Sequence, residues 1–102
     1  MAKVIWTEGA LRDLDEIADY IAGENAEAAN RLVRRVFERL DLLETFPEIG
    51  RWVPEFTRRN HREIVVAPYR VVYSIRKGVV FIELVIRGEQ LMTEELLKQR
   101  KI

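Results

Sequence analysis

Arginine is the most prominent residue type wherever this chain could do chemistry. The segment HREIVVAPYRVVYSIRKGVVFIELVIRG, from His61 to Gly88, holds Arg62, Arg70, Arg76 and Arg87, with Arg58 and Arg59 just before it. A guanidinium offers a planar fork of donors that fits a phosphate or a carboxylate through two parallel hydrogen bonds. These residues therefore suit an anionic ligand or an acidic partner chain. Groups able to move a proton are scarce. His61 ionises in the right range, but it is the single histidine of the chain and, alone before a strand, it reads as a solvated turn residue. Tyr69 and Tyr73 alternate with Arg70, so they point away from it as core aromatics with their hydroxyls at the sheet edge. The ordinary structural use of Arg70 would be an ion pair with Glu83 across a hairpin.

The elements that must position these side chains are legible from spacing. Tyr69, Val71, Tyr73 and Ile75 alternate with Arg70, Val72, Ser74 and Arg76, the pattern of a strand with two distinct faces. Strands are expected near residues 62 to 67, 69 to 76 and 79 to 87, all antiparallel, with Lys77 and Gly78 as a two-residue turn and the very apolar last strand at the centre. Lys3 to Trp6 is a further short strand. Thr7 can cap a helix near residues 8 to 22, in which Leu11, Leu14, Ile17, Ala18 and Ile21 form the apolar stripe and Asp13, Asp15, Glu16 and Asp19 the outer face. Asn25 can cap a second helix near residues 26 to 45, ended by Pro47 and Gly50. The short connection between them makes an antiparallel helical hairpin. Residues 51 to 60 read as an irregular arm. The tail from Leu91 to Arg100 has helical spacing but is too short to be stable unless docked.

At 102 residues and 48% apolar content the chain has the size of one domain, residues 1–102, with little apolar surplus beyond a single core. It contains no cysteine, which excludes a disulfide framework and thiolate metal ligands, and one histidine leaves almost no zinc ligands to choose from. No metal and no cofactor is expected. Nor is there an apolar run of about 18 residues to span a membrane, and MAKVIWTEGA lacks the features of a signal peptide. A cytoplasmic location, away from membranes, is expected.

Net charge is zero, with 17 basic and 17 acidic side chains, but they are unevenly placed. Residues 1–50 hold six Lys or Arg against eleven Asp or Glu, whereas residues 51–87 hold eight against three. If the first half is helical and the middle a sheet, an acidic helical side opposes a basic sheet side, to which an anionic partner would be steered.

The ordered set of segments resembles a known family. An IWT first strand, ALRDLDEIADYIA, LETFPEIGR after the second helix, REIVVAPYRVVY and a final apolar strand ending in arginine together look like the RelE/ParE superfamily of type II toxin–antitoxin toxins. The resemblance spans residues 4 to about 91 and implies an α+β domain, with the helical hairpin packed on one face of a small, mainly antiparallel sheet. It also implies a cognate antitoxin, an extended or helical chain that wraps the toxin in a hetero-oligomer, and a role of the plasmid-stabilisation kind.

The superfamily contains two chemistries. Members similar to RelE and YoeB are ribosome-dependent mRNA endonucleases; in that case the resemblance gives Arg70 the phosphate-binding role, with Arg87, Arg62 and Glu55 as further candidate site residues, Glu55 standing in a Pro-Glu pair like that of YoeB as a candidate base. At the end of the last strand, however, the chain reads VIRGEQLMTEEL. Arg87 stands roughly where the family often has histidine, and arginine cannot shuttle protons near neutral pH. ParE-like members instead poison DNA gyrase by binding, and need no such acid–base set. The missing tyrosine or histidine, the neutral overall charge and the long hairpin favour that branch; zero net charge suits rRNA poorly. The endonuclease, acting on ribosome-bound mRNA, is the alternative, and a degenerate toxin that only pairs with its antitoxin is a third. Acidic antitoxin side chains are expected at Arg58, Arg59, Arg62, Arg70 and Arg87.

Overall fold

The hydroxyl of Thr7 does two jobs at the start of the fold. It accepts the amide of Ala10 at 3.2 Å and donates to the Ile82 carbonyl at 2.8 Å, so the first helix is capped and tied to the sheet by one atom. That helix, α1, runs Glu8–Ala22. Asn25 accepts the Ala28 amide at 3.0 Å and opens α2, Ala26–Asp41. The regular helix stops four residues short of the expected end, tightening into a 3-10 turn at Leu42–Glu44. The computed structural model describes residues 1–90 and 93–98.

The sheet has five strands: β1 Lys3–Trp6, β2 Arg51–Trp52, β3 Arg62–Val66, β4 Tyr69–Arg76 and β5 Val79–Arg87, in the order β1-β5-β4-β3-β2. β1 lies parallel to β5, with Lys3 opposite Val79, and all other pairs are antiparallel. β5 is interior, as its apolar run requires, while β4 is the middle strand. β2 falls within the stretch expected to be irregular; its two residues pair with Arg62 and Glu63. The β4–β5 turn places Lys77 at φ 50° and Gly78 at φ 78°. Two successive left-handed residues match the right-handed twist of the flanking strands.

Both helices cover one sheet face. Ala10, Leu14, Leu32, Val36, Leu40 and Leu43 pack on Ile64, Val66, Val71, Tyr73, Val80 and Ile82, all buried. The stripe of α1 is rotated from the expected one: Leu11 is 40% exposed, whereas Asp13 is buried and accepts the Val85 amide at 3.1 Å. Asp13 thus leaves the outer face it was assigned, because the β5 backbone supplies a donor there. The opposite sheet face carries a smaller core of Val53, Val72, Leu84 and Ile86. Leu96 and Leu97 of a short helix α3, Glu94–Lys98, pack on it with Phe56. Docking is what the tail needed, and this cluster provides it; Leu91 and Arg100 lie outside the described residues.

Candidate functional site

Side-chain alternation sends Arg70 of β4 and Glu63 of β3 to the face away from the long helices. Glu63 stands opposite Val72 and Arg70 opposite Val65, so the two are diagonal neighbours. The Arg70 Nε donates to Glu63 at 2.7 Å, and its two terminal nitrogens donate to both oxygens of Glu55 at 2.6 and 2.7 Å. Glu55 reaches in from the loop after β2. On the far side of Glu63, Arg51 donates from Nε at 2.6 Å. The result is a row, Arg51–Glu63–Arg70–Glu55, with two charges of each sign. The Glu63 side chain is fully shielded and that of Arg70 only 6% exposed. Hydrogen bonding to Glu55, with Glu63 behind it and against the opposing effect of burial, holds the Arg70 proton even more tightly than in a free guanidinium.

Arg70 is therefore not paired with Glu83. A bulge in β5 opposite Val72 and Tyr73 shifts the register, so Arg70 faces Ile86. Glu83 instead accepts a short hydrogen bond from Ser74 and lies 3.4 Å from His61 Nε2. Burial pushes its carboxyl up, but the bonds from His61 and Ser74 outweigh this and its ionisation falls below the usual range. His61 is correspondingly not a solvated turn residue: it is partly buried, edge-on to Phe56, with Nδ1 at 2.9 Å from Asn60.

The remaining arginines divide by use. Arg62 lies 3.8 Å over the Trp52 ring and donates to the carbonyls of Glu48 and Gly50 at 3.0 and 2.9 Å. Arg58 and Arg59 are exposed on the loop. Arg87 is exposed beside Glu89, with Nε 2.5 Å from its carboxylate, and its guanidinium lies 5.7 Å from the Tyr69 ring. The Glu89 contact raises the Arg87 ionisation and lowers that of Glu89. Arg87 borders a cleft of about 660 Å³ between α1 and the end of β5, which Glu16, Tyr20 and Tyr69 also line. Tyr69 and Tyr73 are buried on the helical face, as expected; the Tyr73 hydroxyl accepts the Gly50 amide at 2.9 Å and donates to the Pro47 carbonyl at 2.8 Å.

Of the residues singled out from sequence, the fold brings Arg70 and Glu55 into contact, ties Arg62 into the loop before β2, and leaves Arg58, Arg59 and Arg87 at the surface. Glu63 and Arg51, which complete the row, escaped that reading. A signal for Glu63 existed: a two-residue turn at Ala67 and Pro68 sets Val66 opposite Tyr69, and counting back places Glu63 on the face of Arg70.

The chain matches the family described as "ParE toxin of type II toxin-antitoxin system, parDE" over residues 4–92. Among curated proteins it is 39% identical over 82 residues to "Toxin RelE2" of Caulobacter vibrioides, covering 80% of this chain and 90% of that one. To "Putative toxin Y4kP" of Sinorhizobium fredii it is 38% identical over 79 residues, covering 76% and 79%. Among solved structures, a chain of "Chromosomal ParDE TA system from P. aeruginosa" superposes with a TM-score of 0.73 at 24% identity, over 87% of this chain and 98% of that chain. The Staphylococcus aureus YoeB dimer structure gives 0.54 at 14%, over 79% and 90%. At such identities these two speak for the fold, an α+β arrangement of helical hairpin on mainly antiparallel sheet. The family match, by contrast, takes in nearly the whole sequence, and on it this chain belongs to the ParE toxins of type II toxin–antitoxin systems.

Proposed function

We propose that this toxin acts in the ParE manner, inhibiting growth by binding and poisoning DNA gyrase and being neutralised by its cognate antitoxin. One observation carries the preference: the sheet arginine that an RNA-cleaving member would turn toward phosphate is here enclosed by Glu55 and Glu63, with every guanidinium nitrogen engaged. A scissile phosphate at Arg70 would have to displace a bidentate carboxylate and be accepted beside a buried one, at a cost in like-charge repulsion. Binding a protein target makes no such demand on Arg70. Arg58, Arg59 and Arg87, the exposed members of the arginine set, are the ones open to acidic antitoxin side chains.

Endonuclease action on ribosome-bound mRNA is the second reading, favoured by Glu55, a potential base, lying 2.6 Å from Arg70. Two assays separate them. Purified toxin added to gyrase, plasmid and ATP should stop supercoiling and accumulate cleaved DNA, and the antitoxin should reverse this. In a reconstituted translation system the same toxin should leave mRNA intact by primer extension. Codon-positioned cleavage that disappears in Arg70→Ala, with gyrase unaffected, would replace the first reading by the second.

A further inference from the structure

The outer edge of β3 is only half covered. β2 pairs with Arg62 and Glu63 and ends there, leaving Ile64 to Val66 without a strand beside them. The Val53 amide donates to the His61 carbonyl at 3.1 Å, so His61 turns its backbone toward β2. The two-residue repeat carries that orientation through Glu63 to Val65. The N–H and C=O of Val65 thus point past the end of β2, at an edge capable of receiving another strand.

Beside this edge runs α2, in the opposite direction to β3. Arg35 donates to the Ala67 carbonyl at 2.7 Å, and Arg39 and Leu42 share a groove of about 190 Å³ with Ile49, Ile64 and Val65. Arg39 makes no ion pair with any described residue. At the Leu42 end the surface is apolar: Leu42, Phe46 and Ile49 are exposed by 44, 57 and 52%. An apolar patch, an open strand edge and two arginines therefore lie in line.

Their spacing selects a partner. Helix residues four apart, such as Arg35 and Arg39, are separated by about 6 Å along the axis. Alternate residues of an extended strand are separated by about 6.6–6.8 Å. A strand laid along β3 would present every second side chain to α2 at nearly the pitch of its arginines. We infer that this edge is a docking groove for an extended segment of the antitoxin, with carboxylates at two alternate positions facing Arg39 and Arg35 and an apolar side chain two residues further seated over Leu42, Ile49 and Phe46. Main-chain bonds to Val65 supply attachment, and the alternating side chains supply register. The inference rests on the pairing of this family with antitoxins and is independent of whether gyrase or the ribosome is the target.

Residue-resolved amide exchange on full-length toxin, alone and with its full-length cognate antitoxin, tests it. The Val65 amide should exchange at least about tenfold more slowly in the complex, as for an amide newly placed in a ladder. Arg39→Glu, on an exposed helix face, should weaken the complex by about tenfold or more, and Arg39→Lys, which keeps the charge at the end of α2, by less. Val65→Pro removes the outward donor and should weaken binding similarly, provided its circular dichroism is that of wild type. A complex in which Val65 exchanges at the free rate and Arg39→Glu binds as wild type overturns the proposal. So does protection of Val65 that rises with toxin concentration without antitoxin, which would make the occupant a second copy. Absence of any complex with wild-type toxin overturns the pairing and this groove together.

Discussion

Glu63 is a carboxylate with no exposed side-chain surface, and it accepts hydrogen bonds from the guanidinium groups of Arg51 and Arg70 on its two sides. A buried ion cluster adds little stability over a well-packed apolar one, but removing one partner strands the other. Arg70→Ala should accordingly lose about 3–5 kcal/mol in urea denaturation, whereas Arg51→Ala, whose side chain is 61% exposed, should lose far less. Equal, small losses would mean that the row is a surface feature only. Glu83 is the second residue of this kind. Its folded-state ionisation lies below its unfolded one, so it stabilises the fold above the ordinary carboxylate range and that contribution is lost as pH falls through it. The melting-temperature gap between wild type and Glu83→Gln should be full near neutrality and narrow below about pH 4. A gap that widens toward acid would contradict the assignment.

At the scale of elements, the segment joining α2 to β2 is fastened around Gly50. A Cβ there would lie 2.6 Å from the Tyr73 hydroxyl and 2.8 Å from the Glu63 carbonyl, and the carbonyl cannot move without disturbing β3. Gly50→Ala should therefore destabilise by about 1–3 kcal/mol or more, the range for overpacking, and loosen the Arg62 clamp on the Gly50 carbonyl. Slower thermal unfolding than wild type in this variant would refute the account. α3 is the complementary case, an element with no stability of its own that is held by apolar burial. Leu96→Ala and Leu97→Ala, both partly buried, should each cost about 1–2 kcal/mol, below the full range for a core leucine. Hydrogen exchange should rise at Val72 and Leu84 before it rises on the helical face.

Across the whole molecule, charge is divided differently from the expected contrast of acidic helices and basic sheet. α1 carries five carboxylates and one arginine, while α2 carries four arginines and three carboxylates. On the sheet side, Arg51, Arg62 and Arg70 are consumed by internal bonds. What remains exposed to steer an acidic partner is Arg58, Arg59, Arg76, Lys77 and Arg87 in the sheet half, and the arginines of α2. Association with the antitoxin should slow as salt is raised, and Arg58→Ala or Arg59→Ala should alter the on-rate and its salt slope more than the off-rate. Rates indifferent to both salt and these substitutions would leave apolar contact as the sole source of recognition.

Sequence alone determined the helices, the long strands and their order, though not the two-residue β2. The period of the two helices, their Thr7 and Asn25 caps, the alternation around Arg70 and the turn at Lys77 and Gly78 are local matters, decided by backbone sterics and by which side chains must leave water. The family resemblance was likewise a matter of ordered local segments. Tertiary structure alone decided the partners. Whether Arg70 meets Glu83 or Glu63 turns on a bulge and a register; whether Asp13 faces water turns on the Val85 amide, 72 residues away in the chain. An ion pair forms between whichever charges the fold brings within a few ångströms, and several carboxylates here were equally eligible by type. Type and spacing along a chain select the candidates, but a buried charge is satisfied only by geometry in three dimensions.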